Sequence, residues 1–142
     1  MNAHLEGVHA PLMQLGSVDE EYSLALDIAF GGRLAHIVVD DTHAAYVALE
    51  LFNSSRAGRA TYNPLNKVKK APTKLQLPKN HGVIDFAINL VDFDDIYLDA
   101  FFYAVGDTLI VEDAEAAEQL MGKYRMVTLD GKLYEKSSAI TG

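Results

Sequence analysis

Short apolar runs, each entered through an acidic residue and closed by glycine or proline, recur along this chain with helical or strand spacing. From Gly7 to Val18 the sequence is apolar and interrupted by Pro11, which lacks an amide donor and confines any strand there to an edge. Asp19, Glu20 and Glu21 place anions where the amides and dipole of a helix start favour them, and Tyr22, Ala25, Leu26, Ala29 and Phe30 follow at helical spacing. Gly31 and Gly32 supply the helix stop. Leu34 to Val39 ends in β-branched residues and predicts a buried strand. Asp40 or Asp41 caps a second helix with Ala44, Val47, Ala48 and Leu51 on its inner face. After Ala57-Gly58 a short strand from Arg59 to Tyr62 ends at Pro64.

The same order then returns. Asn66 to Asn80, with Pro72 and Pro78, predicts an irregular loop, and Val83 to Val91 a strand. Asp94 or Asp95 caps a helix that carries Tyr97, Leu98, Phe101, Phe102 and Val105 on one face and closes at Gly106. A strand from Thr108 to Val111 leads to a helix capped by Asp113, which presents Ala116, Ala117, Leu120 and Met121 and stops at Gly122. Arg125 to Leu129 and Lys132 to Tyr134 flank Asp130-Gly131, a strong hairpin signal, and Lys136 to Gly142 reads as an exit segment. The junctions Val38-Val39-Asp40-Asp41-Thr42-His43-Ala44-Ala45 and Ile110-Val111-Glu112-Asp113-Ala114-Glu115-Ala116-Ala117 are near copies 72 positions apart. A duplicated unit follows: an α/β (mixed α+β) fold of two lobes, about 7–65 and 83–136, joined by a basic linker 66–80 and followed by an exit segment 137–142, all in one domain spanning 1–142. Half-sized lobes have open strand edges, and open edges call for a partner, so self-association is the leading expectation.

Composition narrows the picture further. A chain of 142 residues with 49% hydrophobic and 23% charged positions has the make-up of one globular domain. Without cysteine there is no disulfide framework and no thiolate metal site, which fits a reducing, cytoplasmic setting. The longest apolar runs fall far short of the roughly 20 residues needed to span a bilayer, and no signal-peptide pattern opens the sequence. A net charge of −8 argues against nucleic acid as a partner, but the average conceals an asymmetry. Arg56, Arg59, Lys67, Lys69, Lys70, Lys74 and Lys79 fall between Glu50 and Asp85 with no acid among them, so that window is +7 while the rest, with 20 acids and 5 bases, is −15. A basic patch for DNA and a merely solvated or internally docked loop both remain open.

No catalytic constellation is present. His4, His9, His36, His43 and His81 form no H-E-x-x-H, and none sits in a recognised nucleophile pattern. Asp40, Asp41 and His43 could hold a metal, yet helix capping explains both aspartates. Asp92, Asp94 and Asp95 resemble the start of a calcium loop but lack its glycine and late glutamate. Gly31-Gly32 and Gly58 match neither dinucleotide nor phosphate loops, so no cofactor is expected. Phe101, Phe102 and Tyr103 could stack on bases, but their spacing suits core packing.

Five segments in this order, G-G-R-L-A-H-I-V-V-D-D (31–41), G-R-A-T-Y-N-P-L-N-K-V (58–68), V-I-D-F-A-I-N-L-V (83–91), V-G-D-T-L-I-V (105–111) and Y-R-M-V-T-L-D-G-K-L (124–133), resemble the hinge domain of the structural maintenance of chromosomes (SMC) family, prokaryotic type, over essentially all of the chain from Gly7 onward. The resemblance implies a toroid-like homodimer with a second hinge, in which the first lobe of one protomer meets the second lobe of its partner and sheets run on across both junctions. It places the contact at Arg125, Val127, Leu129, Ser138, Ala139, Ile140, Thr141 and Gly142, and a DNA surface, single-stranded DNA favoured, at Arg56, Arg59, Lys67, Lys69 and Lys70. It also implies long coiled-coil arms, ATPase heads and a role in chromosome condensation and segregation in the cytoplasm, on the nucleoid. Neither heptads nor heads occur in this sequence, so it reads as an excised hinge, itself not an enzyme, with Met1 as a boundary. One departure stands out: the family's glycine-rich exit is here Ser137-Ser138-Ala139-Ile140-Thr141-Gly142, with Ser138 in place of a glycine. A small-molecule or nucleotide-binding α/β domain is the alternative, because duplicated strand-to-helix turns can present amides to anions.

Overall fold

Strands and helices alternate along the residues that the computed structural model describes, 5–55 and 59–142. The first half contains β1 (Val8–Pro11), α1 (Leu12–Leu15), β2 (Gly16–Val18), α2 (Ser23–Phe30), β3 (Ile37–Val39), α3 (Thr42–Ser55) and β4 (Tyr62–Pro64). The second contains β5 (Val83–Phe86), β6 (Val91–Phe93), α4 (Leu98–Val105), β7 (Leu109–Val111), α5 (Ala114–Gln119), β8 (Met126–Thr128), β9 (Leu133–Tyr134) and β10 (Ile140–Thr141). They form a three-stranded sheet, β1-β3-β4, a five-stranded sheet, β10-β9-β8-β7-β5, and a two-stranded ribbon, β2-β6. The fold is mixed α+β.

The duplication holds residue by residue. Adding 75 to each number carries β1 onto β5, β2 onto β6 and α2 onto α4, and the 3-10 turn Glu20–Tyr22 onto Asp95–Tyr97. From β3 the offset is 72, as 37–39 becomes 109–111, and the three-residue difference falls in the 3-10 turn Gly31–Ala35. In each half the first strand pairs antiparallel with the third and carries an irregularity, and the third pairs parallel with the fourth. The ribbon joins Gly16 to Phe93, Ser17 to Asp92 and Val18 to Val91. Ser17 and Asp92 are 75 apart, so each is opposite its own counterpart: the halves are related by a local two-fold axis through that pair.

Sequence accounts for most of these elements. Asp41 and Asp113 each accept from the amide three residues on, Ala44 at 2.8 Å and Ala116 at 2.9 Å, and so start α3 and α5. Asp94 caps the turn into α4 through the amide of Ile96 at 3.2 Å. Pro11 ends an edge strand, as its missing donor requires. Leu12, Leu26, Phe30, Phe101, Leu109, Ile110, Met126 and Val127 anchor a core shared by both halves. Phe101 stacks on Phe93 at 4.4 Å and meets Phe30 edge-on at 5.8 Å, which makes it core and not a base platform.

Several expected elements differ. Leu34 to Val39 is not one strand, because the 3-10 turn consumes its first part. Val83 to Val91 is broken at Ala87–Leu90, where the chain must turn to reach the ribbon. On α3 the buried residues include Ala44, Ala45 and Ala48, whereas Val47 and Leu51 are each 42% exposed, so the expected inner face was wrong by half its members. Val39, Ala44 and Ala45 form a second, small core with Val8, Ile37 and Tyr62 around it. The Tyr62 hydroxyl is buried there without a hydrogen-bond partner among the described residues. The tail is more than an exit, since β10 lies antiparallel on β9.

Gly7 and Gly82 are counterparts that let the backbone pass against α3 and α5. Their φ values are +79 and +86, and a Cβ would lie 3.1 Å from Ala44 Cβ at Gly7 and 2.5 Å from Ala116 Cβ at Gly82. Gly82→Ala combines left-handed strain with a hard clash and is expected to cost about 3 kcal/mol, against about 2 for Gly7→Ala. Urea unfolding of the two variants checks this, and equal losses would remove the steric argument.

Candidate dimer edge and basic surface

Among the described residues, β4 and β10 are each the terminal strand of a sheet, on the side away from the β1 and β5 edges. β4 ends one sheet, and its neighbours are committed inward: the Ile37 amide donates to Thr61 at 2.8 Å and the Leu65 amide to Val39 at 2.8 Å. β10 ends the other sheet. A hairpin carries it there. The Glu135 amide donates to the Ala139 carbonyl and the Ser138 amide to the Glu135 carbonyl, both at 2.9 Å, while one hairpin earlier Thr128 donates to Lys132 at 3.0 Å and Gly131 to Thr128 at 2.9 Å. Both are three-residue loops whose last member is left-handed. Gly131, at φ 93, fills that role in the first, and Ser138, at φ 75, in the second. The Asp130-Gly131 loop is therefore one residue longer than the two-residue turn its sequence suggests.

The residues expected at a contact fall into two groups. Ser138, Ala139, Ile140, Thr141 and Gly142 are all exposed, and Leu129 is half-buried. Val127 is 0% exposed, between β7 and β9, so its side chain has no surface to offer a second copy. Arg125 is committed internally: its guanidinium donates to the Ala29 carbonyl at 2.8 Å, to Thr108 Oγ1 at 3.2 Å and to Glu135 Oε1 at 3.0 Å.

An arginine of the first half reaches the opposite way. Arg33 Nη1 donates to the carbonyls of Tyr103 at 3.0 Å and Ala104 at 3.3 Å, and its guanidinium carbon lies 4.8 Å from the centre of the Tyr103 ring. Each half thus places a cation on the carbonyl end of the other half's helix, where the dipole favours it. Between them runs a cleft of about 870 Å³ with His36, Asp107 and Lys136 in its walls. Burial, aided by the Arg33 charge, lowers the His36 pKa below its ordinary 6.5. The arginines are spent on helix ends and free no anion site.

Arg59, Lys67, Lys69 and Lys70 are exposed, and none makes an ion pair among the described residues. Arg56 lies outside them. The loop that carries the lysines is irregular as expected but tethered: the Ala71 amide donates to Asp99 Oδ1 on α4 at 2.8 Å, and Leu75 and Leu77 pack on the main core. No three His, Asp or Glu side chains gather to hold a metal among the described residues. Capping explains Asp41, but Asp40 instead pairs with His9 at 2.5 Å, which corrects the reading that both aspartates cap. At both strand-to-helix turns a carboxylate already sits on the amides an anion would need, which disfavours the nucleotide-binding alternative. No helix among the described residues is long and apolar enough to cross a membrane.

Comparison with known proteins converges on one family. The model of the SMC proteins flexible hinge domain matches residues 5–121. The chain belongs to the SMC hinge family. Chromosome partition proteins Smc of Synechococcus and of Aquifex aeolicus are 44% and 41% identical to it over 100% and 97% of its length. This hinge spans only 12% of the length of each. Its fold superposes on an asymmetric dimer of the Geobacillus stearothermophilus SMC hinge domain with a TM-score of 0.86 and 32% identity, over 97% of this chain and 60% of that one. The Pyrococcus furiosus Smc hinge domain with an extended coiled coil gives 0.85 and 37%, over 99% of this chain and 51% of that one.

Within this hinge, the paired loops make Ser138 testable on its own. Ser138→Gly removes left-handed strain but adds freedom to the unfolded chain, for a net gain of roughly 0.5–1 kcal/mol. A higher Tm by calorimetry is expected; an unchanged or lower one would show that Ser138 is not strained.

Proposed function

We propose that this hinge is a homodimerisation module in which the β4 edge of one copy adds to the β10 edge of another, twice, about a two-fold axis. The open β10 edge carries the reading: a strand with one unpaired side offers a row of donors and acceptors that another strand can satisfy. Leu129, Ser138, Ala139, Ile140, Thr141 and Gly142 form the contact, with Arg125 and Val127 holding the sheet behind it. The lobes are 7–65 and 83–136, the linker is 66–80 and the edge hairpin extends into 137–142. Related proteins include one described as an asymmetric hinge dimer and one as a hinge with an extended coiled coil, which supports arms on this hinge as well. In the longer protein it would join those arms to ATPase heads that act in chromosome segregation and condensation on the cytoplasmic nucleoid, with no catalysis of its own.

The isolated chain is expected to sediment at equilibrium with twice 15.6 kDa. The Ala139 carbonyl faces β9, so by alternation the Ile140 amide points to the open edge. Ile140→Pro deletes that donor and is expected to give a folded species of 15.6 kDa. A dimer that survives the substitution unweakened would exclude this edge.

A nucleic-acid surface is a second reading, favoured by the exposed cations Arg59, Lys67, Lys69 and Lys70, which no acid among the described residues pairs; Arg56, outside the described residues, belongs to the same basic window of the sequence. Lys69→Glu with Lys70→Glu is expected to weaken binding to a single-stranded oligonucleotide and to flatten its salt dependence while dimer mass stays constant. Binding that does not change would reduce the loop to a solvated surface.

A further inference from the structure

His9, on β1, bridges the two halves through side chains alone. Its Nε2 lies 2.5 Å from Asp40 Oδ1, just beyond β3, and its Nδ1 lies 2.7 Å from the hydroxyl of Tyr97, on the turn before α4. The His9 and Tyr97 rings meet edge-on, 5.3 Å apart at 83°. Asp40 is tied to the first strand by its backbone as well, since its amide donates to the Gly7 carbonyl at 2.8 Å. A carboxylate can only accept, so Nε2 carries a proton, and in the neutral ring Nδ1 is then the acceptor for the Tyr97 hydroxyl. Burial, and then the charges of Asp94 and Asp40, raise the Tyr97 pKa above 10.0, which keeps that hydroxyl a donor. Among the described residues, the titratable groups tied to the relay by hydrogen bond or charge are Asp40 from the first half, and Tyr97 with Asp94 beside it from the second.

The internal repeat shows that the fold does not need this arrangement. By the offsets of 75 and 72, the counterpart of Tyr97 is Tyr22, that of Asp40 is Glu112, and that of His9 is Ile84. The tyrosine and the acid recur on the other side of the two-fold axis, but an isoleucine stands where the imidazole would connect them.

We propose that His9 is a proton-sensitive latch between the halves of the hinge: neutral, it accepts from Tyr97 while donating to Asp40; protonated, it has two donors and no acceptor, and the Tyr97 hydroxyl must turn its proton elsewhere. No bond is made or broken beyond the N–H gained from solvent, and the Asp40 contact becomes an ion pair. The consequence is a contact between β1 and the turn before α4 whose hydrogen-bond sense reverses with the charge of one ring. Its second half-site, lacking the imidazole, stays indifferent to pH. The latch is therefore one-sided within each chain.

The test is an NMR titration of the whole chain, labelled at histidine and tyrosine, from pH 8 to pH 5. In the neutral ring, Nδ1 of His9 is expected to be the unprotonated nitrogen, and the Tyr97 ring signals are expected to move with the same midpoint as those of His9, while Tyr22 stays flat. His9→Ile copies the residue at the mirrored position, and its Tyr97 signals are expected to lose that response with the fold retained. Tyr97→Phe is expected to lower Tm by about 3 °C where the ring is neutral. A neutral ring protonated at Nδ1, or Tyr97 signals that ignore the His9 titration in the parent chain, would overturn the latch. That readout needs no variant to fold, and it is independent of whether the chain dimerises.

Discussion

A strand paired with its own repeat constrains everything else in this molecule. When β2 lies antiparallel to β6 with Ser17 opposite Asp92, the two halves can only be arranged about a local two-fold axis, because antiparallel pairing of a segment with its copy is symmetric by construction. The rest follows from that axis. α2 and α4 are brought side by side, their carbonyl ends open on the same cleft, and Phe30, Phe93 and Phe101 meet where the halves touch. The axis also sets each half's helix end against the other half, and two arginines that are not copies of one another, Arg33 and Arg125, neutralise those ends reciprocally.

The axis does not make the halves identical, and the differences carry function. The second half adds β9 and β10 and so extends its sheet, while the first stops at β4. In the proposed assembly, long edge would meet short edge twice about a two-fold axis, pairing β4 and β10 at both junctions. Contact between like edges would leave the other kind unsatisfied.

What could be read from the sequence was local chemistry, repeated. The Asp41 and Asp113 caps, the glycine-stopped helices and the Asp130-Gly131 hairpin are each fixed by a few neighbouring side chains, and copies 72 apart announced the duplication before any contact was known. The ribbon was missed because Val83 to Val91 is apolar enough to pass for one strand even though Asp85 and Asn89 strain its alternation, and the chain in fact turns at Ala87–Leu90 to reach β2. β10 was missed because Ser137 to Gly142 has little strand propensity and is held by the Glu135–Ala139 bonds, a tertiary choice. The roles of Asp40 and Arg125 were hidden for the same reason: their partners, His9 and Ala29, are 31 and 96 residues away. Exposed Val47 and Leu51 fit a helical apolar stripe, but the sheet beneath α3 is only three strands wide and covers the alanine side alone.

The swapped arginines carry one more implication. A polypeptide holding a single repeat would expose a helix end that only another such polypeptide could neutralise, and its ribbon strand would have no mate, so it could exist only as a concentration-dependent pair. Joining two repeats through the 66–80 stretch turns that encounter into an intramolecular one with a fixed effective concentration.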